Sequence, residues 1–438
     1  MAVRAPAFTE GLKWLNSEPL IISALRGRYI LLDFFTFGCI NCLNNLQTIK
    51  TLHARYGGEL VVIGIHTGKF THEKELNTLR EALSRYGITY AVVNDPEHHM
   101  ADAYAAKGWP TTILIDNRGY LVHHAGGEQK LSEWVGRLSV CGLRARSQSQ
   151  DEKASEKKLL FPQKVLAAPA FLAVANTASN EVWLSDYEGQ VHTFIEADKP
   201  MGMAYSDGKL YICESDKGRI LSYEPQSGAK QTVLEGLRNP FDLVVSDNRL
   251  VVALAGSHLL NIYRLDDLSL LVSYGNRFEA LRDGKADECQ LAQPSGVTLM
   301  DKILYFVDAE SSSLRKIEEG KVSTLVGEGL FTYGDSDSGE ILLQHPQGLC
   351  PGIVGDGCGG GRLFIADTYN NKVKAYFPDD NSMMTLLEGL NEPGGIAKKG
   401  CELFIADTNA HRIVVFDLSK MESRVMAFDR KESVDSSF

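Results

Sequence analysis

The pattern of apolar and polar positions changes partway along the chain. Over residues 1–140, near-continuous apolar runs alternate with amphipathic stretches, as in an α/β domain whose helices cover a central sheet. Residues 29–37 (YILLDFFTF) and 60–66 (LVVIGIH) are rich in β-branched and aromatic side chains and predict central strands covered on both faces. Between them, Leu46, Ile49, Leu52 and Tyr56 recur at helical spacing until Gly57-Gly58 supplies a stop. Further helices are expected over 72–86, 97–106 and 131–138, and strands over 90–93, 111–116 and 120–124.

The stretch 144–158 (RARSQSQDEKASEKK) has no apolar side chain larger than alanine, so it cannot bury a face and reads as a linker. Beyond it come short strands, turns and internal repetition. Segments 182–191, 210–220, 250–260, 304–314, 363–373 and 403–413 each read as strand, polar turn, strand. Five follow a proline-led turn, at Pro200, Pro240, Pro294, Pro346 and Pro393, with Pro169 as a looser sixth. Units of several short strands recurring about every 40 residues predict propeller blades, because one blade cannot bury its own faces. The expected architecture is multi-domain. Residues 1–143 form an α/β domain, 144–160 a linker, 161–421 an all-β six-bladed propeller and 422–438 a tail.

Composition narrows the function. A net charge of −11, with no Lys/Arg run interleaved with aromatics, argues against a nucleic-acid partner. No stretch approaches the ~20 apolar residues of a membrane span, and the first residues lack the apolar centre of a secretory leader. A folded, soluble, cytoplasmic protein is therefore expected. Eight cysteines, six of them scattered singly, are too sparse for a disulfide framework, so most should be reduced.

Cys39 and Cys42 are the exception. A Cys-x-x-Cys between a strand and a helix places its first thiol at the helix N-terminus, where unsatisfied N–H groups and the dipole favour a thiolate. Cys39 is then the nucleophile, exposed enough to react. Cys42, one turn into the helix, is the resolving thiol. Asp33 is a carboxylate inside an apolar strand, costly unless it exchanges protons or accepts hydrogen bonds, and suits a proton acceptor for Cys42. Trp109-Pro110-Thr111 precedes a strand, where a cis proline can hold backbone beside the cysteines and leave groups for an extended substrate. A zinc site would want a second close cysteine or histidine pair at ligand spacing. The remaining cysteines are mutually distant, and the adjacent pairs His98-His99 and His123-His124 point different ways. No metal or other cofactor is implied.

DFFTFGCINC and GWPTTILI resemble the strand-to-active-site segment and the cis-proline loop of the thioredoxin superfamily, over residues 8–140. The central Ile40-Asn41 differs from the Gly-Pro of thioredoxin itself, and this dipeptide tunes potential and partner choice. The C-terminal units resemble NHL repeats, whose form is Pro-x-Gly followed by a strand ending Ala-Asp-Thr. Asp367 and Asp407 keep the acid, Asp186, Glu214 and Asp308 are read at the same place, and Leu254 replaces it. Such an acid is expected to cap its own turn. Together the motifs are similar to the NHL repeat-containing protein 2 family, which implies a thioredoxin-like domain joined to an NHL propeller. The expected activity is thiol–disulfide exchange on a protein or peptide substrate through Cys39 and Cys42. Asp33 and Pro110 would assist, Trp109 and Thr111 would contact substrate, and the propeller would bind a protein partner. The alternative is a non-catalytic interaction scaffold with incidental cysteines.

Overall fold

A computed structural model describes residues 3–145, 158–352, 358 and 360–430. The chain divides into two compact units, Met1–Glu156 and Lys157–Phe438. Most of the expected linker, and residues 431–438 of the expected tail, lie outside the described residues.

The first unit is built on one six-stranded sheet: β1 (Lys13–Leu15), β2 (Tyr29–Phe35), β3 (Leu60–His66), β4 (Ala91–Asn94), β5 (Thr111–Ile115) and β6 (Leu121–Gly126), in the order β1-β4-β3-β2-β5-β6. β2, β3 and β4 are parallel, while β5 runs antiparallel to β2. The helices are α1 (Ile40–Tyr56), α2 (Thr71–Lys74), α3 (Leu76–Arg85), α4 (His99–Ala103) and α5 (Leu131–Val140). Alternation along β2 sends Ile30, Leu32 and Phe34 into a core with Ile63, Ile65, Val93, Met100 and Ile113. The opposite face takes Leu31, Asp33 and Phe35. α1 packs on β3, and its Ile49 and Leu52 are wholly buried, each stabilising the fold by about 2 kcal/mol.

The sequence pattern differs from this unit in two places. The helix expected over 72–86 is interrupted at Glu75, whose extended backbone (φ −71°, ψ 130°) separates α2 from α3. The short edge strand β1, antiparallel to β4, has no apolar run to announce it.

The second unit is a six-bladed propeller. Each blade has four consecutive antiparallel strands, with inner strands Pro162–Ala167, Pro200–Ser206, Pro240–Ser246, Pro294–Met300, Gly348–Gly352 and Pro393–Lys399. These six strands surround a central cavity of about 250 Å³. The third residue of Pro-x-Gly faces the neighbouring inner strand at close range: a Cβ at Gly348 would lie 2.8 Å from the Gly394 carbonyl oxygen. Two blades lack this glycine and carry Lys164 and Asp242 instead. Lys164 reaches across the cavity to Asp242 at 3.2 Å and donates to the Ser295 and Gln347 carbonyls.

Among the described residues, no strand is shared between the first and last blades. Their seam is an apolar core of Val165, Val174 and Trp183 with Phe404, Ile413 and Met426, onto which Asp429–Arg430 adds a short parallel strand outside blade one. Blade six's outer strand is Glu422–Val425, so the propeller runs past residue 421 and the tail expected over 422–438 begins inside it.

Blade one corrects two expectations. Its inner strand begins at Pro162, not Pro169, and pairs Pro162 with Asn176, just as Pro200 pairs with Glu214. Segment 182–191 is therefore the hairpin between its third and fourth strands, and Asp186 lies in that turn. Asn176 holds the position that is acidic in blades two, four, five and six and is Leu254 in blade three. A carboxamide there carries no charge signal, so the register slipped by one strand.

Candidate functional site

The sheet order places the expected residues at one end of the N-terminal unit. β2 ends at Phe35 and its loop delivers Cys39 to the N-terminal cap of α1 (φ −82°, ψ 116°), with Cys42 in the first turn. Because β5 is antiparallel to β2 with Thr111 opposite Phe34, the residues preceding β5 lie beside the start of that loop. The Trp109–Pro110 bond there is cis.

The cysteine sulfurs are less accessible than their sequence position implies. Cys39 is 5% and Cys42 3% exposed. The preceding turn is drawn inward by hydrogen bonds from Cys39 N to Thr36 O (3.4 Å) and from Gly38 N to Glu73 Oε1 (2.9 Å). Burial and the neighbouring Cys39 push the Cys42 thiol well above its ordinary range, while a Thr36 backbone hydrogen bond and the charge of Lys69 oppose them. Cys42 is therefore held as a thiol until a base takes its proton.

Asp33 supplies a matching group. It projects from the α1-facing side of β2, 1% exposed, and burial raises its carboxyl to about 7. A hydrogen bond from Asn45 Nδ2 at 3.4 Å only weakly opposes that rise. Its charge and that of Cys42 both bear on the buried Tyr90 hydroxyl, so the three groups share one low-dielectric region. A carboxyl near 7 is half-protonated at neutral pH and can give or take a proton.

Trp109 donates Nε1–H to Thr67 Oγ1 at 2.5 Å, lies edge-on to His98 and has the Lys69 ammonium 5.2 Å from its ring centroid. Thr111 is buried, and its hydroxyl donates to the Gly108 carbonyl at 2.7 Å. That hydroxyl shapes the proline loop from within.

Two residues escaped sequence reasoning. Glu73 is wholly buried and accepts from Thr36, Gly38, Lys69 and Phe70, and Lys69 places a cation near the cysteines. Both follow β3 in a stretch, GKFTHEK, whose charges look like an ordinary solvated helix start.

In the propeller the repeated acid is structural. Asn176, Glu214, Asp308, Asp367 and Asp407 each accept the backbone N–H two residues before their own blade's leading proline: Leu160 (2.7 Å), Asp198 (2.7 Å), Ala292 (2.8 Å), Gln344 (2.7 Å) and Asn391 (2.6 Å). The four acids also meet a cation on the next strand: Arg219, Arg315, Lys374 and Arg412. The Asp335–Asp337 loop is likewise held by Lys374, at 2.9 and 3.0 Å. Among the described residues no group of His, Cys, Asp and Glu could hold a metal ion, and no helix is long and apolar enough to cross a membrane.

Six of the eight cysteines lie outside any disulfide, in line with the expectation that most are reduced, and the other two are paired. Cys358 and Cys401, 43 residues apart, form a disulfide with a Cα–Cα distance of 5.1 Å. Folding brings the loop of blade five against the first turn of blade six, a proximity sequence distance conceals.

Residues 2–124 match the AhpC/TSA family. Over 98% of its length the chain is 29% identical to the Arabidopsis thaliana protein SUPPRESSOR OF QUENCHING 1, chloroplastic, and spans 48% of that protein. It is 28% identical to Homo sapiens NHL repeat-containing protein 2 over 99% of its length, spanning 73% of the human chain. Its N-terminal part is 30% identical to the thiol-disulfide oxidoreductase ResA of Halalkalibacterium halodurans, over 28% of this chain and 68% of that one. The chain is thus a homologue of NHL repeat-containing protein 2, with a thioredoxin-like domain followed by a six-bladed propeller.

Proposed function

We propose that the N-terminal domain is a thiol–disulfide oxidoreductase acting on protein or peptide substrates through Cys39 and Cys42, with the propeller as a partner-binding platform. The observation that carries this reading is the placement of Cys39 at the cap of a 17-residue helix, with Cys42 one turn in and buried Asp33 poised near 7. The Cys39 thiolate attacks a substrate disulfide R–S–S–R′, forming Cys39–S–S–R and expelling R′S⁻. Cys42, its proton passed to Asp33, attacks the Cys39 sulfur and releases RS⁻. The products are the Cys39–Cys42 disulfide and a substrate dithiol, two electrons having moved to the substrate. Starting from the oxidised pair, the same steps run in reverse. Pro110 and Trp109 border the site and would receive an extended substrate. A second dithiol must reduce the pair for turnover.

A cytoplasmic location suits the six cysteines outside the disulfide, while Cys358–Cys401 is the feature that stands against a reducing compartment. Burial of both sulfurs favours the second reading, a scaffold with incidental cysteines. Trapping distinguishes them: Cys42→Ser incubated with a peptide disulfide should accumulate a mixed disulfide at Cys39, found by peptide mass mapping. Absence of the adduct, with Cys141 labelled instead, would support the scaffold.

A further inference from the structure

Glu73 sits in the one-turn helix α2, far in sequence from either cysteine, yet its carboxylate reaches the turn that presents Cys39. Its Oε1 accepts from Thr36 Oγ1 at 2.6 Å and from Gly38 N at 2.9 Å, the residue immediately before Cys39. Its Oε2 accepts from Lys69 N at 2.6 Å and Phe70 N at 3.2 Å. The loop closes over it because residue 68 is glycine: a Cβ there would lie 2.9 Å from Glu73 Cβ. One carboxylate therefore joins two loops, one leading to the dithiol and the other carrying Lys69, beside Trp109.

We infer that Glu73 is a positioning residue of the dithiol site, fixing the turn before Cys39 against the loop of Lys69 so that the Cys39 and Cys42 sulfurs meet in reacting geometry. This rests on the thiol–disulfide reading above. Four donors aimed at two oxygens require an acceptor on both sides, which a carboxylate is and a carboxamide is not. Glu73→Gln must turn its NH₂ toward either Gly38 N–H or the Lys69 and Phe70 N–H groups, and that side of the joint opens. The chemistry at sulfur is unchanged. What falls is the effective concentration of one thiol at the other, a quantity sensitive to small misplacements.

The experiment compares wild type, Glu73→Gln and Thr36→Val in glutathione buffers, measuring the equilibrium constant for the exchange of two protein thiols and GSSG for one protein disulfide and two GSH. Circular dichroism melts set the temperature below unfolding. Glu73→Gln should lower this constant about tenfold. Thr36→Val, which removes one donor, should lower it less and in the same direction. If wild type shows no two-thiol exchange, the oxidoreductase reading itself falls. If wild type exchanges and folded Glu73→Gln lies within twofold of it, the positioning role is overturned. Should Glu73→Gln fail to fold, Thr36→Val decides: a constant equal to wild type overturns the inference, and a lowered one supports it.

Discussion

Both units bury carboxylates, but they treat them differently. In the propeller, Asp308 accepts a backbone N–H from Ala292 and pairs with Arg315 at 3.0 Å, and the two terminal nitrogens of Arg315 are also held by Asp283 and two carbonyls. Burial raises Asp308 to about 6, with the Arg315 charge pulling against it. In the thioredoxin-like domain, Asp33 is equally buried but has Asn45 at 3.4 Å as its hydrogen-bond donor and no cation among the causes of its shift, and it rises to about 7. A carboxylate held by donors and a cation is a structural joint. One left with weak solvation costs stability and keeps an exchangeable proton near neutrality, which is worth the cost where a thiol must be deprotonated.

The contrast can be broken first at the structural end. Asp308→Ala leaves Arg315 buried beside a lost partner, so the propeller should lose about 3–5 kcal/mol, read as a lowered urea midpoint for its transition. A loss under about 1 kcal/mol would remove the distinction.

Asp33→Asn should have the opposite sign. The folded carboxyl titrates near 7 against about 3.9 in an unfolded chain, so between those values the native state binds more protons and stability falls as pH rises. Removing the charge should stabilise the N-terminal domain by roughly 2–4 kcal/mol at pH 8 and by nearly nothing at pH 4, seen in melts across that range. It should also slow Cys42's attack on a mixed disulfide. Equal stability of variant and wild type at pH 8 would show that Asp33 is better solvated than its single long hydrogen bond implies.

The smallest expected effect lies at the propeller seam. His411 Nδ1 accepts Phe161 N–H at 3.0 Å across blades six and one, the same inter-blade rung made by Asn180 to Lys199, His258 to Gln293 and Asn371 to Glu392. His411→Ala should cost about 1–2 kcal/mol and show first as faster amide exchange at Phe161.

The two units were also unequally legible in sequence. Cys39, Cys42, Asp33 and Pro110 could be found because each sits at a fixed offset from an apolar strand, and strand runs survive in one dimension. Glu73 and Lys69 could not, since their contacts are made between loops. In the propeller, five proline-led turns carried the register. Blade one escaped because Asn176 accepts the same backbone N–H as its acidic counterparts without their charge, and the Lys164–Asp242 pair hid in the two blades lacking Pro-x-Gly. The Cys358–Cys401 bond depended on which turns stack around the ring, which no local pattern encodes.

The central claim is that Cys39 and Cys42 form a working dithiol, and an equilibrium titration in glutathione buffers tests it most directly, with thiol count and tryptophan fluorescence followed together. With Cys358–Cys401 intact, wild type should fall from six thiols to four in one transition within the cytosolic range of roughly −220 to −320 mV, accompanied by a change in Trp109 emission that Cys42→Ser abolishes. If no two-thiol step appears in any buffer, or if Cys42→Ser keeps the fluorescence change, the pair is not a redox centre and the domain is a scaffold.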